Sequence, residues 1–230
     1  MPASVQTRPA LTGNQLKIIA MIAMTCDHVG LQIFPRLQIL RILGRLALPV
    51  YAFLIAEGCR HTRNRKRYLL RLAGLGLLCQ VVYFFAMRSL YQCILITFSL
   101  SVCLIIVLEQ ARLRPGRDTR ILATGVSMLV VWICLELPRL LSHTDFTIDY
   151  GIIGVLLPVL AYFGTPGYLY LTGGLVLLAL QYGGIQWFSL ASLPLLMCYN
   201  GKRGKSSLGP LFYLYYPVHL VVIYGLSQIL

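Results

Sequence analysis

Apolar residues come in long runs separated by short basic or polar connections, and the runs recur from one end of the chain to the other. A helix needs roughly 20 apolar residues to cross a hydrocarbon core, and on that measure about nine segments stand out. They cover 16–34, 39–59, 68–88, 91–109, 121–141, 151–163, 168–181, 185–198 and 208–229. The sixth to eighth are short, as tilted, half-spanning or partly re-entrant helices are. The expected fold is therefore all-α, a multi-pass transmembrane helical bundle. A polar N-terminal tail over residues 1–15 precedes one integral membrane domain over 16–230. The first run is too long, and too clearly interrupted by Asp27 and His28, to read as a cleaved signal peptide.

Composition agrees with the pattern: 58% of residues are hydrophobic, 12% are charged and the mean hydropathy is +0.76. The net charge of +13 sits in a few arginine-rich connections, which reads as retention of loops on the cytoplasmic side and not as nucleic-acid binding. The connections 60–71, 109–120 and 199–205 are basic, whereas 138–150 holds two of the acids. With nine spans the basic connections share one side, so the N-terminus is expected inside and the C-terminus outside. Seven cysteines lie mostly within apolar runs with no CxxC spacing, so neither a disulfide framework nor a metal site is expected.

The chemistry begins in the first segment. Charge inside a membrane helix is costly and needs a partner or a purpose. Lys17, Met21, Thr25, His28 and Gln32 fall near one helical stripe, with a cation at its foot and an imidazole three turns higher. Asp27 points about 100° away from His28 and should orient a neighbouring helix or be neutral. The first two segments form a hairpin about residues 35–38, and positions equidistant from its tip lie at similar depth. His28 is then level with Arg45, and Lys17 nearly level with Glu57. Arg45 is the plainest partner for Asp27, either as a structural bridge or as a group able to hold a carboxylate or phosphate.

Other polar groups admit two readings each. The stretch Glu57 to Arg71 is the densest cationic segment. Arg65, Lys66 and Arg67 suit a positive-inside anchor, whereas Arg60, His61 and Arg63 stand where a nucleotide-bearing donor would enter from the cytosol. Asp149, followed by Tyr150, is placed to cap the sixth helix. The turn Tyr199, Asn200, Gly201, Lys202, Arg203, Gly204 could cradle phosphate on its N–H groups, or simply end a helix. In the last segment Tyr215 and His219 lie one turn apart, near Pro217, as packed groups or as functional ones.

Taken together, LKIIAMIAMTCDHVG, LRILGRLALPVYAFLIAEGCRHTRNRKRYLLRL, DYGIIGVLLPVL, LPLLMCYNGKRG and FYLYYPVHL resemble the TraX family of multi-pass bacterial membrane proteins. The resemblance covers nearly the whole chain from Leu16. It implies an association with N-terminal acetylation of pilin and a place in the bacterial cytoplasmic membrane. The chain is also similar to the broader transmembrane acyltransferase superfamily, where a Lys or Arg, ten residues and a His mark the first helix; Lys17 and His28 have that spacing. That similarity implies acetyl-CoA as donor and His28 as the catalytic base. Cys93, in CILITF, stands where the family pattern implies an asparagine.

The leading expectation is therefore an acyltransferase. Its catalytic residues would be His28, Asp27 and Arg45, with Lys17, Glu57, Arg60, His61, Arg63, Asn200, Lys202 and Arg203 toward the acyl-CoA donor. Gln32, Asp149, Tyr150, Tyr215 and His219 are further candidates, and the acceptor is a peptide or glycan. The alternative is a proton-coupled transporter, since buried Asp and His also serve proton relays. The sequence shows no inverted repeat to support it.

Overall fold

The computed structural model describes residues 11–205 and 209–229. Among these the chain is all-α, and the helices follow the apolar runs in order. They are α1 Gly13–Gln32, α2 Gln38–Gly44, α3 Ala47–His61, α4 Arg65–Met87, α5 Ile94–Leu113, α6 Arg117–Leu140, α7 Gly151–Phe163 and α8 Gly167–Tyr182. A 3-10 helix over Gly184–Ser192, α9 Leu193–Met197 and α10 Gly209–Ser227 complete the chain. Among the described residues four stretches are long and apolar enough to cross a membrane: Gln38–His61, Arg65–Phe85, Ile94–Leu113 and Arg117–Leu140. Their exposed faces carry large apolar side chains such as Leu70, Phe85, Met128 and Leu129, as lipid contact requires.

Several boundaries depart from the hydrophobic pattern. α1 starts at Gly13, inside the stretch expected to be a polar tail, because Thr12 and Gln15 form a reciprocal capping box. The second apolar run is two helices, interrupted at Arg45 and Leu46. The eighth run is mostly 3-10 helix, which rises further per residue than an α-helix and so covers more distance with few residues.

The chain divides into two compact units, 1–54 with 182–230, and 55–181, the boundary falling within α3. In the first unit α1 packs on α2 and α10, and α2 on the 3-10 helix. Close approach of α1 and α2 depends on Gly30 and Gly44: a Cβ at Gly30 would meet Leu40, and one at Gly44 would meet Asp27. Residues 198–203 fold back on the start of α1. Gly13 and Asn14 donate their N–H groups to the carbonyls of Lys202 and Arg203 at 2.8 and 2.9 Å, so this turn satisfies helix donors that would otherwise lie open.

In the second unit α5 is the central helix, packed by α4, α6 and α7, with Thr97, Phe98, Ser101, Val102 and Ile105 buried along it. Small residues let the backbones approach: Ser101 Oγ donates to the Val155 carbonyl at 2.7 Å, and Thr97 Oγ1 to that of Asp149 at 2.9 Å. Asp149 does not cap α7 as expected; Tyr150, in a left-handed conformation, occupies that position with no side-chain cap. The Asp149 carboxylate instead accepts the hydroxyl of Tyr91.

Candidate functional site

The polar groups of α1 meet partners within the first unit. His28 Nδ1 lies 2.9 Å from His219 Nε2 of α10, with the rings stacked at a centroid distance of 5.0 Å. His219 Nδ1 in turn lies 3.0 Å from the backbone carbonyl of Tyr215. A carbonyl can only accept, so His219 carries its proton on Nδ1. In the neutral pair His219 Nε2 must then accept from His28, which places the His28 proton on Nδ1 and leaves a lone pair on His28 Nε2. That nitrogen has no hydrogen-bond partner among the described residues. The result is a base whose tautomer is set by two groups behind it.

Aromatic packing holds this arrangement. The Tyr215 ring stacks on His219 at 5.0 Å and 4°, and Tyr216 meets it edge-on at 5.4 Å. The Tyr215 hydroxyl is hydrogen-bonded to Thr25 Oγ1, which donates to the Met21 carbonyl at 2.9 Å. Thr25 and His28 of the expected stripe thus engage α10 together. Gln32, one turn on, has a buried Oε1 with no partner among the described residues.

Asp27 binds two guanidiniums. Arg45 Nη2 pairs with Oδ1, and Arg41 Nη1 donates to Oδ2 at 2.8 Å and to the Asp27 carbonyl at 3.2 Å. Arg45 also donates to Gln186 Oε1 at 3.2 Å and to the Arg41 carbonyl at 3.3 Å. The Asp27–Arg45 pair was legible from hairpin depth. Arg41 was not singled out in the sequence, although it lies one turn before Arg45, and Gln186 sits in a run that gave no polar signal beyond its own presence. Both guanidiniums act electrostatically on His28.

The cationic candidates divide by what they already hold. Lys17 lies with its ammonium 5.0 Å from the centroid of the Phe212 ring, and Arg203 is close enough to act on it electrostatically. Lys202 and Arg203 have exposed side chains in the turn at the start of α1, and the Lys202 N–H donates to Asn200 Oδ1 at 2.9 Å. In the second unit Arg60 is occupied: it pairs with Glu57 at 2.6 Å and donates to the carbonyls of Ala161, Tyr162 and Gly164 at 2.6, 2.7 and 3.3 Å. His61 also meets Glu57, at 3.3 Å, so Glu57 takes its partners from its own helix instead of depending on Lys17. Arg63 is exposed between α3 and α4 and holds no hydrogen bond among the described residues. Cys93 begins α5 with no side-chain cap, its Sγ turned to the Gly76 carbonyl at 3.7 Å. Among the described residues no group of His, Cys, Asp or Glu is arranged to hold a metal ion.

Fold and site define a multi-pass helical membrane protein with a histidine pair and an Arg–Asp–Arg cluster within its helices. The chain belongs to the TraX family, whose model, described as TraX protein, matches residues 12–227. It is 32% identical to the probable fimbrial assembly protein FimC, serogroup H1, of Dichelobacter nodosus, over 91% of this chain and 93% of the relative. A shorter match, 58% identical over 38 residues, covers 16% of this chain and 15% of an uncharacterized protein of Rickettsia prowazekii (strain Madrid E). No solved structure matches.

Proposed function

We propose that the protein is a membrane-bound acetyltransferase that moves an acetyl group from cytoplasmic acetyl-CoA to an amine or hydroxyl of an acceptor held at, or beyond, the far face of the membrane. The observation that carries this reading is the hydrogen-bonded sequence from the Tyr215 carbonyl through His219 to His28, which presents His28 Nε2 as a base. The Dichelobacter relative is named for fimbrial assembly. That name, with the family resemblance, favours a pilin-type peptide amine; a cell-surface glycan hydroxyl would require the same base.

The residues at the start of α1 fit a phosphate-rich donor. Lys17, Lys202 and Arg203 bring three cations together within one unit, and two of them are exposed. Arg63, in the other unit, is exposed and has side-chain chemistry that also suits phosphate. α1 is continuous, so the eleven residues from Lys17 to His28 span roughly 16 Å, within the reach of an extended pantetheine arm. The donor supplies an activated thioester. The acceptor nitrogen or oxygen attacks its carbonyl carbon, His28 Nε2 takes the acceptor proton, the carbon–sulfur bond breaks and coenzyme A leaves as the thiol after receiving that proton. His219 stabilises the His28 cation that forms in between, and the Arg41–Arg45 pair beside Asp27 favours negative charge developing on the acetyl oxygen.

Transfer of labelled acetyl from acetyl-CoA by the purified protein is the direct test. His28→Ala should lower the rate by about 10²–10⁴-fold, the usual contribution of a positioned base. Transfer at the wild-type rate by that variant would overturn the reading.

A further inference from the structure

The Asp27 carboxylate is shared by two guanidiniums, those of Arg41 and Arg45. Arg41 uses only Nη1 toward Asp27, and its Nη2 and Nε hold no hydrogen bond among the described residues. The Arg41 side chain is 23% exposed, so these donors can be reached.

A second observation comes from the 3-10 helix. Gln186 is 3% exposed, and its Oε1 accepts from Arg45, which can only donate. The amide orientation is therefore fixed, with Nε2 beside the Arg45 guanidinium. That buried Nε2 has no partner among the described residues, nor has Ser189 Oγ, three residues along the same 3-10 helix and also buried. Positions three apart eclipse in a 3-10 helix, so the two orphaned groups share a face. A buried amide donor without an acceptor is destabilising, and a ligand oxygen would supply the missing acceptor.

We propose that Arg41 and Gln186 form a binding site for a phosphate or carboxylate group, with Asp27 and Arg45 as the brace that holds them in position. A planar guanidinium fork suits either oxyanion, and the Gln186 amide adds a neutral donor. Arg41 also belongs to the acetyl-transfer site proposed above, and binding measured without any acyl donor separates the two roles. Its ligand is a lipid headgroup phosphate or a soluble oxyanion.

The full chain in phosphatidylcholine nanodiscs, without any acyl donor, provides the test. One arm titrates inorganic phosphate or acetate and the other replaces part of the lipid with phosphatidylglycerol, with thermal unfolding and equilibrium binding as readouts. A rise in Tm in the first arm identifies a soluble oxyanion, and one confined to the second identifies a headgroup. Arg41→Gln and Gln186→Ala should each weaken binding by about tenfold, as loss of one charge-assisted or one buried hydrogen bond does. Gln186→Ala keeps both Arg–Asp contacts and serves if Arg41→Gln does not fold. Arg139→Gln, which removes an exposed pair with Glu136, should leave binding unchanged. No response to either anion class, or an equal response in wild type and Gln186→Ala, would overturn the site.

Discussion

A single backbone carbonyl, that of Tyr215, orders the protons of two imidazoles. Its effect on His28 passes through His219, which makes His219 a positioning residue for the proposed base. His219→Phe removes the acceptor for the His28 Nδ1 proton and should lower kcat by on the order of 10²–10⁴-fold, the range seen when a base is left in the wrong tautomer. His219→Gln, whose amide can accept from His28 and donate to the Tyr215 carbonyl, should recover much of that loss. A merely structural role would lower the yield of folded protein with kcat per folded molecule unchanged. His28, Asp27 and Arg45 were legible in the sequence because charge and imidazole are conspicuous in an apolar run. The pairing of His28 with His219 was not. It depends on the register of α1 against α10, which lie far apart in the chain, and no local periodicity records that register.

At the scale of elements, the polar side chains divide between those that shape helix ends and those left open. Arg60 closes α7, whose last carbonyls have no partner within the helix, and it does so at three positions. Arg60→Ala should therefore destabilise the protein by about 2–3 kcal/mol, as loss of hydrogen bonds to a charged group does, while Arg63→Ala should leave stability unchanged. Denaturant titration in detergent compares the two. Sequence alone gave both arginines the same character, since a cap on a helix a hundred residues away leaves no local mark. Asp145 ties the connection after α6 to the one before α5. Ser89 Oγ donates to it at 2.5 Å and the Leu90 N–H at 2.8 Å, and these bonds hold its carboxyl below the usual aspartate range. A depressed folded-state value means the tie is fully present above the ordinary aspartate pKa and is lost as pH falls through the lowered one. Protection of the Leu90 amide from hydrogen exchange, relative to its intrinsic rate at each pH, should fall over that acidic window, and Asp145→Asn should remove the dependence.

Across the whole molecule, contacts inside each unit show which connections share an end. In the second unit Gln92 pairs with the 147–149 stretch, and Arg60 with the last turn of α7. α4, α5, α6 and α7 therefore alternate in direction, and α7 runs from the Gln92 end toward the Arg60 end, its 13 residues making only about 20 Å of helix. The basic stretches 60–71 and 112–120 gather at the Arg60 end, and Asp145 and Asp149 at the other. In the first unit the 199–203 turn lies at the start of α1, so Lys202 and the beginning of that helix share an end. By the positive-inside rule the expected side for both the Arg63 stretch and the Lys202 turn is the cytoplasm, the sidedness that the proposed acetyl transfer across part of the bilayer requires. Single cysteines at Arg63, Lys202 and Ser142, on a background from which the seven native thiols, including exposed Cys198, have been removed, test it in intact cells. A membrane-impermeant maleimide should label Ser142→Cys from outside, and the other two only after the membrane is opened. Labelling of Ser142→Cys and Lys202→Cys from the same side would mean that an odd number of crossings does not separate them, and the donor and acceptor would then have no membrane between them to be carried across.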